Sequence, residues 1–121
     1  MARILVIDDS KLARQTCCNA LTKMAHETLE AATGREGLEI VERESPDVIV
    51  LDLLMPDLEG QEVLKILQQR FPSIPVVVLT ANTQRNAAEE CLELGAVQVI
   101  NKFVDPDELK NAVHNVLVGE R

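Results

Sequence analysis

Five residues carry most of the chemical content of this sequence: Asp8, Asp9, Asp52, Thr80 and Lys102. Short runs of β-branched and aliphatic residues lead into them, I-L-V-I before Asp8, V-I-V-L before Asp52, V-V-V-L before Thr80 and V-Q-V-I shortly before Lys102. A carboxylate at the end of a buried strand is costly to desolvate unless something pairs with it. Asp52 taken alone would serve equally well as the cap of the turn that follows. The other strand ends decide between those readings. If the strands are parallel, their carboxyl ends share the sheet edge where open α/β sheets bind ligands, and four polar termini converge there.

Carboxylates gathered at one place repel one another. A hard divalent cation relieves that repulsion, and Mg²⁺, with Mn²⁺ as a substitute, suits a few carboxylates, retained waters and room for a phosphate. Phosphoryl transfer needs such parts: a nucleophile, a metal against the phosphoryl oxygens, a cationic side chain and a hydrogen-bond donor. In that scheme Asp52 is the nucleophile, Asp8 and Asp9 hold the metal, Thr80 donates to a phosphoryl oxygen and Lys102 pairs with the acid or the phosphoryl group. The bland alternatives are an ordinary strand terminus at Thr80 and a solvated lysine at Lys102. Four such coincidences together are much rarer than one.

The elements that must position these residues alternate strand and helix. Residues 3–7 read as a first strand, and Ser10 caps a helix whose inner face is Leu12, Ala13, Cys17, Ala20, Leu21 and Met24. Residues 27–31 are a weaker strand, and Thr33 with Glu36 forms a capping box for a helix that buries Leu38 and Val41. Ser45-Pro46 turns into the central strand before Asp52, and the helix after Gly60 turns Val63, Leu64 and Leu67 inward until Phe71-Pro72 stops it. Residues 76–79 form a second doubly buried strand. Ala87, Ala88, Cys91 and Leu92 make the next helical stripe, which Gly95 ends. Residues 97–100 are the last strand. Asp105-Pro106-Asp107-Glu108 then opens a helix with Leu109, Ala112, Val113, Val116 and Leu117 inward. Five such alternations with short connections predict an α/β fold, a doubly wound five-stranded parallel sheet with helices on both faces.

Composition narrows the classes of function. At 121 residues the chain is expected to be one domain, residues 1–121, able to bury a core without disulfides or a structural metal. Its 20 acidic and 12 basic residues leave a net charge of −8, which disfavours contact with a phosphate backbone. Two Phe and no Trp or Tyr leave few groups for stacking on bases. Cys17, Cys18 and Cys91 fit neither a metal spacing nor a disulfide framework and read as reduced helix residues. Met1-Ala2-Arg3 runs straight into a strand and no apolar run approaches membrane-spanning length, so a cytoplasmic protein without membrane insertion is expected.

At its polar residues the chain resembles the receiver domain of two-component response regulators, over essentially its whole length. The resemblance rests on the acidic pair Asp8-Asp9, the stretch Asp52-Leu53-Leu54-Met55-Pro56 with Gly60 four residues on, Thr80-Ala81, Gly95-Ala96 and Lys102. It implies the flavodoxin-like strand order 2-1-3-4-5 with five helices. It further implies a phosphoryl group received on Asp52 from a histidine kinase, a histidine phosphotransfer protein or a small donor. Mg²⁺ would be bound by Asp9, Asp52 and the backbone carbonyl of Leu54, with Asp8 acting through water. Three positions depart from the family's pattern. Phe103 stands where proline usually follows the lysine, Val99 where an aromatic switch residue usually lies, and Leu54 where many members are polar. The first two predict weak coupling through the last strand and a trans Lys102-Phe103 bond, since cis before Phe costs roughly 3–4 kcal/mol. Leu54 predicts slow self-dephosphorylation, because it donates no hydrogen bond to an attacking water, a task left to Asn82.

The resulting expectation is a phosphorylation-dependent switch, chemotaxis-regulator-like, that alters binding to a downstream protein and is not a turnover enzyme. The alternatives are a receiver fragment of a larger regulator and an aspartyl-phosphate phosphatase of the haloacid dehalogenase type. The latter would need an acid at Leu54. A flavodoxin-like flavin binder would need Ser, Thr or Gly donors after the first strand, where Asp8-Asp9 would instead repel phosphate.

Overall fold

The computed structural model describes residues 2–53, 60–81, 85–102 and 105–119, residues 85 and 86 for their backbone alone. Strands β1 (Arg3–Ile7), β2 (Glu27–Ala31), β3 (Val48–Asp52), β4 (Val76–Thr80) and β5 (Gln98–Asn101) alternate with helices α1 (Lys11–Thr22), α2 (Gly34–Glu44), α3 (Gly60–Arg70), α4 (Arg85–Glu93) and α5 (Pro106–Leu117). All four strand pairings are parallel, in the order β2-β1-β3-β4-β5. The order places β3 at the centre, so all five of its residues are buried, as are those of β4. This is why both strands read as unbroken apolar runs instead of alternating ones.

Period-two alternation sends successive side chains to two separate cores. Leu5, Ile7, Ile49, Leu51, Val76 and Val78 meet α2, α3 and α4 through residues such as Val41, Leu64 and Cys91. Ile4, Val6, Val48, Val50, Val77 and Leu79 meet α1 and α5 through Leu21, Leu109 and Val113. A fully buried aliphatic side chain of this kind contributes about 1.5–3 kcal/mol.

The helix ends follow local chemistry. Ser10 Oγ accepts from the Ala13 amide at 3.2 Å, and Asp105 Oδ1 accepts from the Asp107 amide at 2.8 Å ahead of Pro106. Thr33 Oγ1 accepts from the Glu36 amide at 3.1 Å, while Glu36 reaches back to the Ala32 amide at 2.9 Å, one residue before the cap. Gly95 closes the turn after α4 with φ +108°, a conformation L side chains rarely adopt.

Three inward assignments are corrected. Leu12 is 74% exposed, because the first turn of α1 stands at the sheet edge, where Leu12 lines a recess of about 290 Å³ with Asp8, Cys17, Leu79 and Lys102. Leu92 is 50% exposed, since Ala87 and Cys91 take the buried positions of α4 and Leu94 packs on the core just past its end. Leu117 is 38% exposed in the last turn of α5, where Val116 packs inward instead. Leu54, Asn82 and Phe103, on which the expectations about ligation, water and the Lys102-Phe103 bond rest, lie outside the described residues. Among the described residues no helix is long and apolar enough to cross a membrane.

The connection between β3 and α3 is tied at its base by the Gly60 amide, which donates to the Leu53 carbonyl at 2.8 Å. A Cβ on Gly60 would stand 2.7 Å from that carbonyl oxygen and closer still to the Leu53 Cα, backbone atoms that cannot swing aside. Gly60→Ala is therefore expected to cost about 1–3 kcal/mol. Urea unfolding followed by circular dichroism would measure it, and a loss under a few tenths of a kcal/mol would contradict the close approach.

Candidate functional site

The parallel register brings the polar strand ends level. Ile7 pairs with Leu51 and Asp52 with Leu79, so Asp8 follows β1 beside Asp52, and Thr80 lies one residue beyond Asp52's partner. Asp8, Asp52 and Lys102 continue the residue parity of Ile4 and Val6, Val48 and Val50, and Ile100, the rows that face α1 and α5. Thr80 continues the parity of Val76 and Val78, toward the opposite layer.

Lys102 joins the carboxylates. Its Nζ lies 3.0 Å from Asp52 Oδ2 and 3.4 Å from Asp8 Oδ1, with only 15% of its side chain exposed. Burial alone would lower the lysine's pKa, but the hydrogen bond and charge of Asp52, joined by those of Asp8, outweigh it and raise the value above the ordinary 10.5. The Lys102 backbone amide also donates to the Thr80 carbonyl at 2.7 Å, fastening the end of β5 to the end of β4. Thr80 itself is buried.

Asp8 Oδ1 accepts from the Ser10 amide at 2.9 Å, so Asp8 also caps the turn that leads into α1. Asp8 Oδ2 is buried with no hydrogen-bond partner among the described residues. Asp9 is exposed, yet one oxygen from each of Asp8, Asp9 and Asp52 lies within 4.8 Å of the others. Three acceptor-only groups this close, one of them holding an orphaned buried oxygen, fit a hard divalent cation. The Cys17 thiol beneath them is pushed up to about 11 by burial and then by the charge of Asp8. A thiol raised in this way is a poor nucleophile at neutral pH. All three cysteines are free and buried.

The four predicted strand ends thus meet in one place. Sequence reasoning passed over Arg14, whose Nη1 donates to the Asp8 carbonyl at 2.6 Å and whose Nε meets Glu30 Oε1 at 3.2 Å. A signal was present. Lys11 and Arg14 put two cations in or near the first turn of α1, which holds no acidic residue, against the preference of the helix dipole. Val99, at the position of the expected switch residue, is partly buried and packs on the layer formed with α2, α3 and α4.

The family model described as the response regulator receiver domain matches residues 4–114. The chain is 34% identical over 115 residues to "Sporulation initiation phosphotransferase F" of Bacillus subtilis, covering 95% of this chain and 93% of that protein. It is 32% identical over 121 residues to "Protein PilH" of Pseudomonas aeruginosa, covering 98% and 100%. A "Protein-glutamate methylesterase/protein-glutamine glutaminase" of Archaeoglobus fulgidus is 41% identical over 103 residues, but the chain spans only 29% of it. Among solved structures, a CheY-like response regulator receiver domain protein from Methanospirillum hungatei matches with TM-score 0.93 and 28% identity, over 98% of this chain and 95% of that one.

Because Lys102 is raised by its carboxylate partners, its contribution to folding is fully present below pH 10.5 and is lost as pH rises through the higher folded value. In metal-free protein, Lys102→Met leaves two buried carboxylates without their cation and is expected to cost about 3–5 kcal/mol at neutral pH. The gap between wild type and variant in urea unfolding should be flat to about pH 10 and shrink above it. A gap that instead widened with alkalinity would show that Lys102 does not stabilise the pair.

Proposed function

Because the chain belongs to the response regulator receiver domain family, the phosphorelay signalling switches of two-component systems, we propose that Asp52 is its phosphoacceptor and that residues 1–121 act as one receiver domain. The observation that carries this reading is the buried Asp52 carboxylate at the end of the central strand, held by Lys102 Nζ at 3.0 Å within a cluster of three aspartates. One Asp52 oxygen forms the new bond to phosphorus as the donor's leaving atom departs with its electron pair, which gives an aspartyl phosphate. Lys102, already beside that carboxylate, passes from Asp52 to the incoming phosphoryl oxygens. Thr80, at the neighbouring strand end, donates its hydroxyl to another.

Asp9, Asp52 and the Leu54 carbonyl would hold Mg²⁺, with Asp8 joining through water, and the ion when bound would neutralise charge on the phosphoryl oxygens. The donor is a histidine kinase or a histidine phosphotransfer protein, and the readout is altered affinity for a downstream protein. The domain acts on its own aspartate and does not turn over a separate substrate. A haloacid-dehalogenase-type phosphatase is disfavoured by the receiver-family match and by the apolar Leu54 at the position of the required acid.

Intact-mass measurement after incubation with a small phosphodonor and Mg²⁺ should show one added phosphate on wild type and none on Asp52→Asn, with chelation of the metal suppressing the wild-type product. Equal labelling of Asp52→Asn would sink the assignment. Decay of the phosphorylated protein should be slow, and Leu54→Asn should hasten it by supplying a donor that holds the attacking water. An unchanged or slower decay would remove position 54 from the control of that water.

A further inference from the structure

We infer that Arg14 is a positioning residue for the metal-holding carboxylates, one that fixes the peptide between Asp8 and Asp9 so that Asp9 is presented toward Asp52; this rests on the metal reading proposed above. The 2.6 Å contact of Arg14 Nη1 with the Asp8 carbonyl lies at the short end of charge-assisted hydrogen bonds. On the other side of residue 8, its amide donates to the Ala31 carbonyl at 3.0 Å. Residue 8 is thus held at both backbone poles, by β2 through its N–H and by Arg14 through its C=O. The Asp8 carbonyl shares a rigid plane with the Asp9 amide, so a tilt of that plane carries Asp9 with it. Asp9 lies two residues past the end of β1, where no strand pairing orients it. The guanidinium is itself anchored, with Nε 3.2 Å from Glu30 Oε1 and only 14% of the Arg14 side chain exposed.

Charge alone would argue against this residue. A cation here sits near the positive end of α1 and beside a site that must attract another cation. The two effects have opposite signs, which makes the inference testable. If Arg14 acted only through its charge, its removal would tighten Mg²⁺ binding; as a positioning group, its removal weakens it. Loss of a partner that orients a metal ligand typically costs roughly 10–100-fold in affinity.

The experiment is titration of the full metal-free chain with MgCl₂, followed by the amide shifts of residues 8–10, well below the melting temperature of every variant. Arg14→Ala and Arg14→Lys should both raise the dissociation constant about tenfold, because lysine restores the charge but not the fork that spans carbonyl and carboxylate. Glu30→Asp, which keeps the charge but shortens the exposed anchor, should weaken binding about two- to fivefold and decides the matter if the Arg14 variants do not fold. An unchanged or tighter constant in the Arg14 variants, or recovery in Arg14→Lys, overturns the inference while leaving the metal site standing. Wild-type protein that binds no Mg²⁺ overturns the metal site and this inference with it.

Discussion

The ammonium group of Lys102 between Asp52 and Asp8 is the interaction on which the rest of the site depends. Both carboxylates are almost wholly buried at the ends of adjacent strands, an arrangement that like-charge repulsion and desolvation oppose together. One lysine cannot neutralise three aspartates. It offsets the cost for the buried pair and leaves the cluster electron-rich, a state that favours a multivalent cation and then a phosphoryl group. The backbone bond from Lys102 to Thr80 makes the same residue the closure of the sheet's far edge, so the charge arrangement and the pairing of β4 with β5 are mechanically one feature.

Parity along the strands decides which parts of the molecule feel the site. Asp8, Asp52 and Lys102 belong to the rows that meet α1 and α5, whereas Thr80 belongs to the row that meets the other three helices. A group bound between Lys102 and Thr80 therefore spans the sheet and touches both layers. This is a structural route by which a modification at Asp52 would reach the α4 side even though Val99, packed into that layer, has no ring to swing.

Much of this was legible in the sequence because its signals are strong and redundant. Strands β1, β2 and β3 span the predicted residues, β4 adds Thr80, and β5 shifts by a single residue. The apolar runs of β1, β3 and β4 up to polar termini have few other readings, while the mixed Glu27–Ala31 was legible as a strand through the alternation around it. The caps at Ser10, Thr33 and Asp105 were legible for the same reason. The inward faces of helix ends were not. Leu12, Leu92 and Leu117 all fit a helical stripe, but periodicity does not say where the sheet beneath the helix stops or which of two neighbouring apolar residues wins the inward position. Strand order came from resemblance, because alternation alone leaves many orders open. Arg14 was missed because its contact with the site is to a backbone carbonyl, which residue type does not reveal; the only sequence signal was a pair of cations at the wrong end of the helix dipole.

The placement of Asp52 on β3 has a consequence for how amide protons should exchange with solvent. Every residue of β3 and β4 is buried, while the edge strands β2 and β5 are mostly only partly covered. Opening of the central strands therefore demands disruption of both cores at once, and their slowest protons should report the unfolding of the whole molecule, whereas the edges open in smaller fluctuations. The chemical mark proposed for Asp52 would be written on the part of the protein that yields last. Its message would then be read at the margins, by changing how often the softer rim opens and not by deforming the strand that carries the mark.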